Sequence, residues 1–147
     1  MSKKLVDSVN GQVANFSVLY FKLHHYHWFL KGRHFFELHV KFEELYNEAA
    51  LHLDEIAERL LATGEKPLST MKEFLKAASV KEATGKEKTE EDMLQSVIAD
   101  FSNVSEELKE TISLAEEEED MVTADMLTGV KQSLDKHVWM LKSFLGE

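Results

Sequence analysis

Apolar residues recur every three or four positions in four long stretches of this chain, and this period constrains the fold more than any other feature of the sequence. Residues at that spacing lie on one face of an α-helix, so each stretch predicts an amphipathic helix with one buried side. The four stripes are Val9, Val13, Phe16, Tyr20, Leu23, His27 and Leu30; Leu38, Phe42, Leu45, Ala49, Leu53, Ile56 and Leu60; Leu94, Val97, Phe101, Val104, Leu108, Ile112 and Ala115; and Leu127, Val130, Leu134, Val138, Leu141 and Leu145. No segment shows the alternating pattern of a strand. The sequence therefore predicts an all-α four-helix bundle.

The first two helices form a hairpin, and a long connection follows it. Residues 31–33 (Lys-Gly-Arg) break the pattern between the two helices, and Gly64 ends the second one. A short helix over residues 71–79 and a polar linker over residues 81–88 come next. Thr89 then caps the third long helix.

The last two long helices form a second hairpin. The acidic run of residues 116–120 ends the third long helix, and Val122 or Thr123 begins the last one. Two hairpins joined by one crossover that carries a short helix are the ferritin-like variant of the bundle, with helix directions up-down-down-up. The length predicts a single domain of residues 1–147.

Composition excludes several classes of protein. The chain has no cysteine, so it has neither a disulfide framework nor thiolate metal ligands. It shows no secretory signal and no run of the ~20 apolar residues that cross a bilayer. We therefore expect a soluble, cytoplasmic protein that does not contact membranes. A net charge of −10 disfavours a general nucleic-acid-binding surface and favours attraction of cations.

The second helix, over residues 35–62, carries two pairs of metal-ligand side chains. His39 and Glu43 form one pair, and Asp54 and Glu58 form the other. Each pair has a spacing of four, which places both side chains on one face of the helix. The pairs are fifteen residues apart, or ~22 Å at helical rise, whereas metal–ligand bonds are only ~2 Å long. The two pairs of one chain therefore cannot bind the same cluster.

A second copy of the chain would bring the two kinds of ligand pair together. Reflection of the hairpin at its turn places His27 opposite His39, beside Glu43. If two hairpins pack antiparallel about a two-fold axis, this cluster meets Asp54 and Glu58 of the second copy, and symmetry produces two equivalent sites. The spacing thus predicts metal sites shared between subunits.

The ligand types restrict the metal. Two imidazoles and three carboxylates suit iron or, less selectively, zinc or manganese. No histidine has a glutamate three residues before it, which argues against the usual di-iron centre inside one bundle. Simpler interpretations remain open at this point. His27 can be a hydrogen-bonded core residue, and Asp54 and Glu58 can pair with Arg59 or a lysine.

The chain resembles the Dps family of mini-ferritins over nearly its whole length. The matching stretches are HHYHWFLKGRHFFELHVKFEELY, DEIAERLLATG, STMKEFL and DMLTGVKQSLDKHVWMLKSFLG. The resemblance implies a dodecameric shell with ferroxidase centres at its two-fold interfaces. Ligands carried over from the family fall on His27, His39, Asp54 and Glu58. Glu43 stands where many relatives have aspartate.

The same resemblance implies an activity and an entry route. Ferrous iron would be oxidised with hydrogen peroxide and stored as ferric mineral, and Trp28 would quench stray oxidising equivalents beside the site. Glu116, Glu117, Asp120 and Asp125 match the region that lines the three-fold pores through which iron enters.

Two other functions stay open from the sequence. One is a nucleoid-associated, DNA-compacting protein whose iron role is secondary. Only Lys3 and Lys4 precede the first helix as a basic patch, so we expect no DNA binding at neutral pH. The other is a helical interaction module, which would not oxidise Fe²⁺.

Overall fold

The computed structural model describes all 147 residues and consists of five α-helices with no strand. The helices are α1 (Lys3–Phe29), α2 (Phe35–Ala62), α3 (Met71–Ala77), α4 (Glu90–Glu117) and α5 (Met121–Phe144). The predicted class, a four-helix bundle with a short extra helix in its crossover, is confirmed. The last helix begins at Met121, slightly earlier than predicted, because Asp120 caps it through the backbone N–H of Thr123.

Side-chain caps fix where most of the helices begin. The side chains of Ser2 and Thr70 accept hydrogen bonds from backbone N–H groups of the first turns of α1 and α3. Thr89 does the same at α4 and forms a reciprocal capping box with Asp92. The predicted cap at Thr89 is therefore confirmed. Only α2 lacks a side-chain cap.

Long-range hydrogen bonds define the directions of the helices. The hydroxyl of Tyr26, near the end of α1, donates to Ser96 near the start of α4. The backbone N–H of Ser2, at the other end of α1, donates to Glu118 just after α4. Helix α4 is therefore antiparallel to α1 and parallel to α2. Arg59, near the end of α2, donates to the cap of α5, so α5 runs antiparallel to α2.

The crossover between α2 and α4 is held along α1 by polar side chains of that helix. Asn10 accepts from the backbone N–H of Leu68 at 2.8 Å. Asn15, which is buried, accepts from the backbone N–H groups of Ser79 and Val80. These bonds satisfy backbone groups that would otherwise be left unpaired when the crossover packs on the bundle.

The turn between α1 and α2 is locked to the start of α4. Glu90 accepts from both the backbone N–H and the ring Nδ1 of His34. Gly32 has φ +148° and lies so close to this carboxylate that an added Cβ would be 2.2 Å from Glu90 Oε1. The backbone conformation therefore favours glycine here, and a larger residue would also push the Glu90 carboxylate out of its present position. This lock fixes the end of the hairpin at which His27 and His39 lie.

A continuous core fills the bundle. Twenty-nine buried apolar residues from all four long helices and the crossover form one cluster. Burial of this surface is the main force that holds the helices together. None of the five helices combines the length and apolar character needed to cross a membrane.

Candidate metal centre

His27 and His39 form a pair whose ring orientations are set by two backbone carbonyls. The Nδ1 of His27 lies 2.6 Å from the carbonyl oxygen of His39, and the Nδ1 of His39 lies 2.8 Å from the carbonyl oxygen of His27. The carbonyl of His27 belongs to the last turn of α1, where carbonyls lack helical partners. The pairing across the turn that the sequence predicts is therefore present.

These bonds determine which nitrogen of each ring is free. A carbonyl oxygen only accepts, so each Nδ1 carries the proton and each Nε2 keeps its lone pair. Neither Nε2 of His27 or His39 has a hydrogen-bond partner within the chain. The rings stack with centroids 3.7 Å apart and an angle of 13° between their planes. An Nδ1–H held by a carbonyl is the usual support of a metal-binding histidine, because it fixes the tautomer.

Glu43 lies one turn after His39 on α2 and is exposed. Its Oε1 accepts a hydrogen bond of 3.3 Å from the hydroxyl of Tyr46. Desolvation and the Glu43 carboxylate raise the pKa of Tyr46. The ring of Tyr46 also stands edge-on to His27 at 5.4 Å and stacks on His24 at 3.6 Å. Tyr46 therefore joins the imidazole pair to Glu43.

Asp54 and Glu58 lie toward the other end of α2, and both are exposed. Arg59 is bonded elsewhere, to Asp120 at 3.0 Å and to the hydroxyl of Thr123 at 2.9 Å. The side chains of Asp54 and Glu58 take part in no ion pair or hydrogen bond within the chain. The interpretation of these residues as partners of Arg59 is therefore wrong.

One chain provides only parts of a metal centre. No group of three histidine, aspartate or glutamate side chains is arranged around a common metal position. The structure brings His27 and His39 together and leaves Asp54 and Glu58 apart from them, as the helical rise requires.

Trp28 follows His27 in sequence but makes no ring contact with the imidazole pair. It is 63% exposed, and its ring lies 5.2 Å from that of His24. His24 in turn stacks on Tyr46. Trp28 therefore reaches the pair only through two intervening rings.

The four predicted pore residues fall into two groups. Glu116, Glu117 and Asp125 are exposed around the turn between α4 and α5, and their side chains have no hydrogen-bond partner. Asp120 is less exposed and caps α5 while it pairs with Arg59. Burial raises the pKa of Asp120, but hydrogen bonds from Thr123 and the charge of Arg59 outweigh it and lower that pKa overall. Asp120 thus has a structural role in the subunit.

Sequence reasoning missed two features of the site's surroundings. Tyr46 carries no motif, and its role depends on the rotation of α2 relative to α1. A second cluster, in which His137 of α5 donates to Glu48 of α2, joins residues too far apart in the chain for any spacing to indicate. A groove of about 490 Å³ lies between α1 and α3. It is mainly apolar and does not include the imidazole pair.

Comparisons with known proteins agree with the observed fold. The family described as a ferritin-like domain matches residues 6–147, so the chain is a ferritin-like protein. It is 57% identical to General stress protein 20U of Bacillus subtilis, over 99% of this chain and 100% of that protein. It is 48% identical, over the full length of both, to DNA protection during starvation protein 2 of Bacillus anthracis. The crystal structure of Dps from Staphylococcus aureus superposes with a TM-score of 0.95 at 48% identity, covering 98% of this chain and 96% of that one. The chain belongs to the Dps family.

Proposed function

We propose that this protein is an iron-storage and detoxification protein, a ferroxidase that oxidises Fe²⁺ with hydrogen peroxide at sites shared between two subunits. Residues 1–147 would act as one ferritin-like domain. The observation that carries the proposal is the pair His27 and His39, whose Nε2 lone pairs are both left free by carbonyl hydrogen bonds. Membership of the Dps family supports the same function.

The exposed stripe of α2 supports the antiparallel dimer. Glu43, Asp54 and Glu58 lie within an arc of about 80° on this helix. The same arc carries exposed apolar side chains, namely Phe36 (80% exposed), Val40 (51%), Leu51 (69%) and Leu61 (60%). A mixed apolar and acidic stripe of this length is typical of a surface that another chain covers.

The spacing of that stripe is symmetric about one point. The midpoint between His39 and Glu58 is also the midpoint between Glu43 and Asp54, and it lies between Glu48 and Ala49. A two-fold axis at this point would place His39 opposite Glu58 of the partner subunit. It would likewise place Glu43 opposite Asp54 of the partner subunit, as an isologous interface requires.

The stacked imidazoles fit a pair of iron ions. Their ring centroids are 3.7 Å apart, within the ~3.5–4 Å range of paired metal ions. Each Nε2 would bind one Fe²⁺, and carboxylates of the partner subunit would complete the coordination. Two Fe²⁺ ions supply two electrons, so one hydrogen peroxide and two protons become two water molecules with no hydroxyl radical released. Zinc or manganese would compete for the same ligands.

Storage requires a closed shell and an entry route for iron. We infer a homododecamer, with Glu116, Glu117 and Asp125 at the openings. Unpaired carboxylates around an opening would raise the local concentration of Fe²⁺. Asp120 would contribute charge there while it caps α5. Trp28 would act as a sink for stray oxidising equivalents, with His24 and Tyr46 between it and the site.

The decisive variant removes the carboxylates that the chain leaves unpaired. Asp54→Ala/Glu58→Ala should lose most Fe²⁺ oxidation by peroxide, followed by ferric absorbance, while the assembly stays intact. Glu55→Ala is the control, because Glu55 is also exposed on α2 but lies about 100° around the helix from Asp54. Wild-type protein should oxidise Fe²⁺ faster with peroxide than with dioxygen. Equal losses in both variants would contradict the assignment of the ligands.

The alternative is a nucleoid-associated protein that compacts DNA, since the Bacillus anthracis relative is named DNA protection during starvation protein 2. We propose that duplex DNA is not bound at neutral pH. The net charge is −10, and the side chain of Lys3 is paired with Asp7 at 2.6 Å. A gel shift with supercoiled DNA at low salt should show no retardation at pH 7, and firm retardation would favour the alternative.

A further inference from the structure

A second cluster of ligand-type side chains lies inside the subunit, between α2 and α5. Glu48 and His52 are one turn apart on α2, and Ser133 and His137 are one turn apart on α5. Residues at that spacing share a helix face, so two pairs face each other across the bundle. Bundle metal sites are built in this way, from side chains of facing helices.

One polar atom each of His52, Ser133 and His137 lies close to the same carboxylate oxygen, Oε2 of Glu48. His137 Nε2 lies 2.9 Å from Glu48 Oε2, Ser133 Oγ lies 3.0 Å from it and His52 Nε2 lies 3.3 Å from it. Only the first two contacts are well-directed hydrogen bonds. The Nε2 of His52 is buried with no hydrogen-bond partner, and so is the Nδ1 of His137. Buried polar atoms without a partner are costly and call for an explanation.

The rings are held in place by aromatic side chains of the other two helices. His52 packs on Phe16 of α1 at 5.2 Å, and His137 lies 6.2 Å from Phe101 of α4. The two imidazoles are 13% and 15% exposed, and the Glu48 side chain is 32% exposed. The donors are therefore ordered and mostly desolvated, while the carboxylate remains open to small ions.

The geometry points to a divalent transition-metal site formed by Glu48, His52 and His137, with Ser133 or a water as the fourth ligand. Two imidazoles and one carboxylate are a known zinc ligand set, and they also suit cobalt and ferrous iron. Donor atoms on a tetrahedral ion with bonds of ~2.0–2.1 Å lie ~3.3–3.4 Å apart. The present separations from Glu48 Oε2 are 2.9–3.3 Å, so each of these three separations need lengthen by no more than about half an ångström.

Metal binding would replace the present hydrogen bonds. As it stands, the cluster is closed on the carboxylate and surrounds no vacant position. On binding, the proton on Nε2 of His137 would leave, and the unpartnered Nδ1 of the same ring is available to take it. Burial raises the pKa of Glu48, but the hydrogen bonds from His137 and Ser133 and the nearby His52 ring outweigh it and hold that pKa below its usual range, so the carboxylate is ionised.

This site is separate from the one shared between subunits. Glu48 lies nine residues after His39, which is about 180° around α2 and ~13.5 Å along it. Its side chain contacts α5, whereas His39 contacts α1. This inference can therefore be tested independently of the ferroxidase proposal.

The test uses the assembled protein with the imidazoles of the shared site removed. In the His27→Ala/His39→Ala background, metal-free protein is titrated with Zn²⁺ by calorimetry and with Co²⁺ by visible spectroscopy. We expect one ion per chain and the absorption bands of a four-coordinate Co²⁺ site. Adding His137→Gln or, separately, His52→Gln should lower the affinity by at least about tenfold, because even outer partners of metal ligands are worth about 10–100-fold. His34→Gln is the matched control, since its histidine also bonds a glutamate and should leave binding unchanged.

Size-exclusion chromatography and thermal unfolding verify that each variant is folded and assembled. The two glutamine variants are independent, so failure of one to fold leaves the other as the test. Absence of Zn²⁺ and Co²⁺ binding in the background protein would overturn the proposal. So would binding that both glutamine variants retain in full.

Discussion

Two backbone carbonyls decide which nitrogen of each imidazole is free in the pair formed by His27 and His39. Each ring donates through Nδ1 to the carbonyl of the other residue, so the helix end of α1 is satisfied and both Nε2 lone pairs are presented together. The same hairpin geometry that ends α1 thus orients the two histidines that we propose as ligands. A histidine that lay on the apolar stripe with its Nε2 bonded inside the core could not bind iron.

Backbone strain lies within the acidic run of residues 116–120. Glu119 has φ +60°, a left-handed conformation that costs a residue with a side chain ~1–2 kcal/mol. Glu119→Gly should remove this cost. Glycine has a larger conformational entropy in the unfolded chain, which opposes part of the gain, so the net stabilisation of the subunit should be about 0.5–1 kcal/mol. Chemical unfolding of the two proteins measures the difference. Glu110→Gly, at an exposed position inside α4, is the control and should destabilise by about 0.5–1 kcal/mol. If both variants destabilised alike, the strain assigned to Glu119 would be absent.

Helix α2 presents three different faces. One is buried and consists of Leu38, Phe42, Leu45, Ala49, Ile56 and Leu60. A second carries the exposed stripe with Glu43, Asp54 and Glu58, and a third turns Glu48 and His52 toward α5. The first face was predictable because the helical spacing of apolar residues is a strong signal of a buried helix face. The second was predictable because ligand pairs stood four residues apart on one helix. The third was not, because it depends on which helix packs against α2 and at what rotation.

The crossover is fastened to α1 by a carboxylate with a shifted pKa. Burial raises the pKa of Glu87. Hydrogen bonds from Thr84 and Tyr26 outweigh this effect and lower that pKa from 4.5 to about 2. A depressed carboxylate pKa contributes stability that is present above pH 4.5 and is lost as the pH falls towards 2. Glu87→Gln should therefore destabilise the protein at pH 7 and flatten the dependence of stability on pH between 4.5 and 2.

Urea unfolding at a series of pH values measures this effect. Glu82→Gln is the control, since Glu82 is an exposed crossover glutamate with no hydrogen-bond partner. It should leave the pH dependence as in the wild type. An unchanged slope in Glu87→Gln would mean that other groups cause the acid sensitivity.

The proposed metal centre requires more than one chain. Four long helices, their directions and the short crossover helix all follow from the period and the breaks of one sequence. The number of subunits cannot be predicted in this way, because it depends on the angles between interfaces and not on any repeat within the chain. What the sequence does contain is the symmetry of α2, where His39 and Glu58 share a midpoint with Glu43 and Asp54.

Mixed assemblies test the shared site most directly. Chains with His27→Ala/His39→Ala keep their carboxylates, and chains with Asp54→Ala/Glu58→Ala keep their imidazoles. Each variant alone should be inactive with Fe²⁺ and peroxide. When the two are co-expressed in equal amounts, random pairing makes about half of the dimers mixed, and each mixed dimer has one intact site of two. The initial rate of Fe²⁺ oxidation should therefore recover to about a quarter of the wild-type rate. Mixed assemblies as inactive as either variant alone would contradict a site built from two subunits.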